Sequence, residues 1–191
     1  MAKKVFFSFH YQDVIDFRAN VVRNHGNFKL NKNEAGFYDS SIWEEAKKTS
    51  NIALKRLINK GIQNTSNTCV LVGTETFQRP WVRYELLKSL KKGNHILAVH
   101  INGIKCKNGK TKNLGKNPLD YVGIYAEDKD SYHLIYKESN KWYYYTEIDG
   151  TSKINIKHSL ELNKNIPLSK FYKIYKWNAD DGYNKFKDWV K

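Results

Sequence analysis

Three short apolar runs, each bounded by polar residues and separated by stretches of helical periodicity, restrict this chain to very few folds. Val5-Phe6-Phe7-Ser8-Phe9 is the first run, Thr68-Cys69-Val70-Leu71-Val72-Gly73 the second and His95 through Ile101 the third. The second is apolar on both alternating sets of positions, as in a strand covered on both faces. Between runs, Val14, Phe17, Val21 and Val22 recur at helical spacing, which predicts an amphipathic helix over about Asp13 to Asn24. Gly36-Phe37-Tyr38-Asp39 reads as one more short strand, preceding a helix that starts at the capping-box pair Ser41 and Glu44. That helix is expected to continue through Leu54, Leu57 and Ile58 to Gly61, with Thr49-Ser50-Asn51 as a point where it could break. A further helix should open at Pro80 and stop at Gly93.

Strand and helix alternate three times before the last strand, which implies a parallel sheet with right-handed crossovers. The expected class is α/β, with a flavodoxin-like strand order 2-1-3-4-5 whose switch point lies between strands one and three. Ligands bind at the carboxyl edge of such sheets. That edge gathers Ser8, Phe9 and His10 from the end of strand one, Asp39 from the loop after strand two, and the start of the Pro80 helix. Trp81 and Glu85 are four residues apart and so share a face of that helix. A carboxylate beside a large aromatic at this edge suggests a site. The plainer alternative is a surface glutamate favoured by the helix dipole next to a packing tryptophan.

Past Ile101 the pattern changes. Gly103 to Asp120 is a Lys/Asn/Gly loop, and Tyr132–Tyr136 with Lys141–Tyr145 form an expected β-hairpin around Glu138-Ser139-Asn140. A closing helix is expected from Asp180 to Val190, with Tyr183, Phe186 and Trp189 on one face. No repeat or linker divides the chain, so a single domain over residues 1–191 is expected.

A mean hydropathy of -0.70 and the lack of any apolar run near the roughly 18 residues needed to cross a bilayer argue against a membrane span. The opening residues are too few and too soon aromatic for a secretory signal, so the cytoplasm is the expected location. Cys69 and Cys106 alone make neither a disulfide frame nor a metal site. The net charge of +14 raises nucleic acid as a partner, but no helix-turn-helix, zinc-finger or RNP motif accompanies the lysines at 105, 107, 110, 112 and 116. The basic surface is read as attracting phosphates in general, nucleic acid not being expected.

These motifs resemble a known family. Val5 to His10 followed by Asp13 is similar to the opening strand and loop of TIR domains, and Gly36 to Asp39 to the strand before their BB loop. Trp81-x-x-x-Glu85 resembles the segment carrying the catalytic glutamate of NAD-cleaving members. Val70 to Gly73, Arg79-Pro80-Trp81-Val82, Tyr175-Lys176-Trp177 and Asp181-Gly182-Tyr183 look more narrowly like the ThsB family of the Thoeris antiphage system. The TIR part covers about residues 3–101 and the family-specific extension about 102–191.

The resemblance implies cleavage of NAD at the nicotinamide–ribose bond and production of a cyclic ADP-ribose isomer. This diffusible signal would activate a partner effector, ThsA, with TIR–TIR self-assembly as a further expectation and no cofactor beyond the NAD substrate. Glu85 would be catalytic, either stabilising the oxocarbenium-like ribosyl centre or gripping the ribose hydroxyls. Trp81 would stack on a ring or shape the wall. Phe6, Ser8, Phe9, His10 and Asp39 are substrate-binding candidates by position, and Arg79 and Arg83 either bind the diphosphate or face water. No metal is implied. The alternatives are a non-catalytic TIR-like adaptor and an enzyme of the nucleoside deoxyribosyltransferase type.

Overall fold

The computed structural model describes residues 4–25, 50–153 and 161–190. A parallel sheet forms its first layer, in the order β1-β2-β3-β9. Its strands are β1 (Val5–Phe9), β2 (Asn67–Val72), β3 (His95–His100) and β9 (Ile174–Lys176). The strands expected as one, three and four are therefore neighbours, as the flavodoxin-like order requires. The expected strand at Gly36–Asp39 and the helix start at Ser41 and Glu44 lie outside the described residues. The fifth strand of the order is β9, which the sequence reading did not identify. It has only three residues, half-buried or exposed, and lacks the apolar run that marks the others.

The helices, in chain order, are α1 (Tyr11–Ile15), α2 (Arg18–Arg23), α3 (Asn51–Gln63), α4 (Pro80–Lys92) and α5 (Gly182–Trp189). Helix α3 starts where a break was foreseen, with Ser50 Oγ accepting the Ala53 N–H at 3.1 Å. Helix α4 has the expected bounds. Pro80 opens it where an N–H is dispensable, and Gly93 closes it in the left-handed region at φ 86°. The single helix expected over Asp13–Asn24 is instead two short ones. Phe17 adopts φ 65° between them and breaks the backbone ladder. The new direction carries the buried Arg18 guanidinium to the carbonyls of Ile104 and Lys110, at 2.9 and 2.7 Å. Phe17 and Val21, expected on the apolar face, point outward, while Ala19 and Val22 are buried.

A second, antiparallel sheet runs β6-β5-β4-β8, from β4 (Val122–Tyr125), β5 (Ser131–Glu138), β6 (Lys141–Tyr144) and β8 (Asn165–Pro167), with β7 (Ser152–Lys153) pairing to β5. Strands β5 and β6 are the expected hairpin. Ser139 and Asn140 at its tip both have positive φ, 46° and 62°, as a tight hairpin turn demands. Two cores result. One lies between α3, α4, the parallel sheet and the second sheet, where Val70, Leu86, Ile96, Ile124 and Leu134 meet. The other lies on the opposite face, where Val5, Phe7, Leu71 and Leu97 pack against Val22, Phe186 and Trp189. Tyr183, expected beside Phe186 and Trp189, is 68% exposed and leaves that face to pack on His25 at 4.2 Å between rings.

Candidate active site

Strand alternation decides what each residue of β1 can do. Phe6 and Ser8 face α4, whereas Val5, Phe7 and Phe9 face α2 and α5. Phe6 belongs accordingly to the core that holds Val82 and Leu86, while Val5 and Phe7 belong to the other. Phe9 also packs on that second core and lies under the Arg23 guanidinium, 4.9 Å from its ring centroid. Of the β1 candidates, Ser8 alone presents a polar group toward α4.

That hydroxyl meets Glu85. Ser8 Oγ donates to Glu85 Oε2 at 2.5 Å, and both residues are buried, Glu85 being only 4% exposed. The surface-glutamate alternative is therefore ruled out by position. Glu85 lies in the second turn of α4, on the face that also buries Val82, Leu86 and Leu87 against the sheet. Removal from water pushes its carboxyl from 4.5 up to about 8, against the opposing pull of the Ser8 hydrogen bond. The group is a buried acid that is mostly protonated at neutral pH. A cation arriving beside it would draw the proton off, since an opposite charge at close range favours the carboxylate.

Trp81, one turn earlier, is half-buried. It packs against the first core and stands edge-on to Tyr84, with ring centroids 6.0 Å apart. His10 follows β1 directly, and burial together with the nearby Arg79 pushes its imidazole below the ordinary value. Arg79 pairs with Glu75 one turn away, whereas Arg83 lies 4.2 Å over the Tyr136 ring and 3.9 Å from Glu138. Arg83 is thereby committed to the hairpin. Asp39 lies outside the described residues. The structure thus brings together Ser8, Glu85 and, at the same strand end, His10. Phe6 supports them from the core, and Phe9 is on the far face.

One group of residues went unnoticed in the sequence as a site. Beyond His10, a pocket of about 440 Å³ opens at the carboxyl ends of β1 and β2, with Gln12, Asp13, Thr74, Glu75 and Lys112 in its wall. Asp13 is visible in the sequence as part of the strand-one motif, but Lys112 is one lysine in a loop of many. Nothing local marks it. Among the described residues, no three His, Cys, Asp or Glu side chains converge as a metal-ligand set.

Residues 6–105 match the family model described as "Thoeris protein ThsB, TIR-like domain". Across all 191 residues, and the full length of the relative, the chain is 55% identical to a Bacillus cereus (strain MSX-D12) protein named "Putative cyclic ADP-D-ribose synthase ThsB1". Sheet order, the Trp81–Glu85 helix and this likeness over the whole length agree, and the chain belongs to the ThsB family of TIR-like proteins.

Proposed function

We propose that this protein cleaves NAD at the nicotinamide–ribose bond and closes the remaining ADP-ribose into a cyclic signal for antiphage defence. The observation that carries the reading is the buried Glu85 held by Ser8 at the carboxyl edge of a parallel sheet. A surface adaptor has no use for an acid removed from water at a cost in stability. An enzyme acting on a cation does.

The chemistry asks little of the protein beyond electrostatics. The bond between the ribosyl carbon and the ring nitrogen breaks, its electron pair passes to the nitrogen, and the cationic ring leaves as neutral nicotinamide. No proton need be donated. Positive charge moves to the ribosyl carbon, and a carboxylate there stabilises that carbon in surroundings that screen charge poorly. The incoming pyridinium and then the ribosyl cation favour the ionised form of Glu85. Ser8 fixes the carboxylate rotamer so that the field is in place before the charge develops. If water attacks, linear ADP-ribose results. If an atom of the adenosine half attacks, the ring closes, so water has to be kept out and the dinucleotide folded.

Trp81 is assigned to the wall of the nicotinamide site and His10 to its entrance, and Asp39 is kept as a substrate-binding residue. The single-domain reading over residues 1–191 belongs to this proposal, supported by a core that joins the parallel sheet to the second sheet. A cytoplasmic location, an effector of the ThsA type reached by the diffusible product, and TIR–TIR self-assembly complete it. No helix among the described residues is long and apolar enough to cross a membrane.

The test is to incubate the protein and its Glu85→Gln variant with NAD, at high protein concentration and in lysates of phage-infected cells. The expected result is a Glu85-dependent product at the mass of ADP-ribose less one water. Equal products from both forms would overturn the role of Glu85, and intact NAD under every condition would overturn the reading in favour of the adaptor.

A further inference from the structure

The pocket beyond His10 is built rather than incidental. Its floor is Asp13, whose side chain is 2% exposed. The nearest cation is Lys112 Nζ, 3.5 Å from Oδ1 and beyond good hydrogen-bond range, while Oδ2 has no partner among the described residues. Lys112 itself is drawn to Asp16. Burial accordingly pushes the Asp13 carboxyl above its ordinary value, with Lys112 opposing. A buried carboxylate left this short of donors is costly, and such groups are normally satisfied. Gly73 makes the position feasible, because a Cβ there would stand 2.1 Å from Oδ2.

The rim is fixed as firmly as the floor. Thr74 Oγ1 donates to the Asn113 carbonyl at 3.0 Å, and the Lys112 N–H donates to the Asn102 carbonyl at 3.0 Å. The lysine is thus held over the opening.

The character of the wall narrows the ligand. Among the described residues it contains no apolar or large aromatic side chain on which a base could stack, and His10 supplies the one ring. Nor is it a phosphate site, because the charges in its wall, Asp13 and Glu75 against Lys112, leave no excess of cations. A polar wall without excess cations, in which the Asp13 carboxylate presents Oδ1 beside Lys112, suits neighbouring hydroxyls, which can donate to Asp13 and accept from Lys112. His10, in the pocket wall, lies two residues past Ser8, about 7 Å along an extended chain, so the pocket opens beside the Glu85 site.

We infer that this pocket is a second sugar subsite, in which Asp13 and Lys112 grip the vicinal hydroxyls of the ribose in the adenosine half of the substrate. The inference rests on the proposed NAD reading for the identity of the sugar, and on the pocket alone for its chemistry. It answers the need for a device that holds the far half of the dinucleotide while its near half reacts at Glu85.

The experiment measures calorimetric binding of AMP and of 2′,3′-dideoxy-AMP to the full chain, and KM for NAD, in wild-type, Asp13→Asn and Lys112→Met proteins of verified folding. AMP should bind about tenfold or more tightly than the dideoxy form, as expected for hydrogen bonds to charged groups. Lys112→Met should erase that contrast and raise KM by a similar factor, the loss in KM exceeding that in kcat. If Asp13→Asn fails to fold, Lys112→Met carries the test. Equal binding of the two nucleotides, or a Lys112→Met protein with unchanged contrast and KM, overturns the subsite even where NAD is cleaved. The AMP contrast in a protein that leaves NAD intact keeps the subsite and overturns only the reaction.

Discussion

Replacing Glu85 by Gln should remove activity and, depending on pH, make the protein more stable. In the folded protein the carboxyl titrates near 8 rather than at 4.5. Between those values the folded state keeps a proton that the unfolded chain has released, so stability falls as pH rises through the window and levels off above it. At 1.36 kcal/mol per pKa unit, the cost carried by wild type is about 1 kcal/mol at pH 5, about 3 at pH 7 and about 5 at pH 9. Gln keeps the acceptor for Ser8 but buries an amide N–H₂, a pH-independent cost of about 1–3 kcal/mol. The variant should therefore be up to about 2 kcal/mol the less stable form near pH 5 and about 2–4 kcal/mol the more stable one near pH 9. For a chain of this size each kcal/mol moves Tm by about 2–4 °C, so the difference in Tm should swing by about 8–15 °C across the range. Urea denaturation and thermal melts of both forms at pH 5, 7 and 9 measure this directly. Stability curves that run parallel in pH would refute the argument, because they would mean that Glu85 titrates alike in folded and unfolded chains.

Removing the Ser8 hydroxyl acts on the same carboxyl from the other side. Wild-type kcat/KM should rise with pH along a limb set by the free enzyme's group near 8, and Ser8→Ala should move that limb about 1–2 units more alkaline; an unmoved or more acid limb contradicts the pairing. Gly73→Ala should cost about 1–3 kcal/mol in urea denaturation, because the added Cβ would overlap the Asp13 carboxylate at 2.1–2.6 Å. An unchanged midpoint would show that the carboxylate can swing clear. Phe17→Gly should stabilise by about 0.5–1 kcal/mol, since relief of the left-handed backbone outweighs the entropy of glycine and the ring is 54% exposed; a loss in the same assay would mean that the ring packs against something.

Much of this architecture is visible in one dimension because apolar runs, proline and glycine act locally. Helix α4 could be bounded to the residue, since Pro80 and Gly93 each have a backbone reason to stand where they do. Glu85 could be singled out for the same reason: its spacing from Trp81 and the direction of the helix follow from position alone. What could not be read was cost. Nothing in the sequence distinguishes a glutamate that is solvated from one sealed by Val82, Leu86 and Leu87, and burial is what separates an active-site acid from a surface one. The kink at Phe17 was hidden because the helical periodicity of Val14, Phe17 and Val21 persists across it. It arises from Arg18 reaching carbonyls 86 and 92 residues away. Strand β9 and Lys112 were missed on similar grounds, both being placed by partners distant in the chain.

The parity of β1 connects these observations. Side chains on a strand alternate with a period of two, so a slip of one residue would turn Phe7 or Phe9 toward Glu85 and carry Ser8 to the opposite core. The parallel register Ser8 with Val70 and Phe9 with Leu71 forbids that slip, because both faces of β1 and β2 are buried and each would have to exchange its whole apolar set. Once parity is fixed, the strand end serves two sites. Ser8 reaches Glu85 on one face, and the turn beginning at His10 carries Asp13 back over Gly73 to the pocket at the strand ends. Each site holds a carboxyl whose burial opposes folding. The continuous apolar packing beneath them is what lets one short strand carry both.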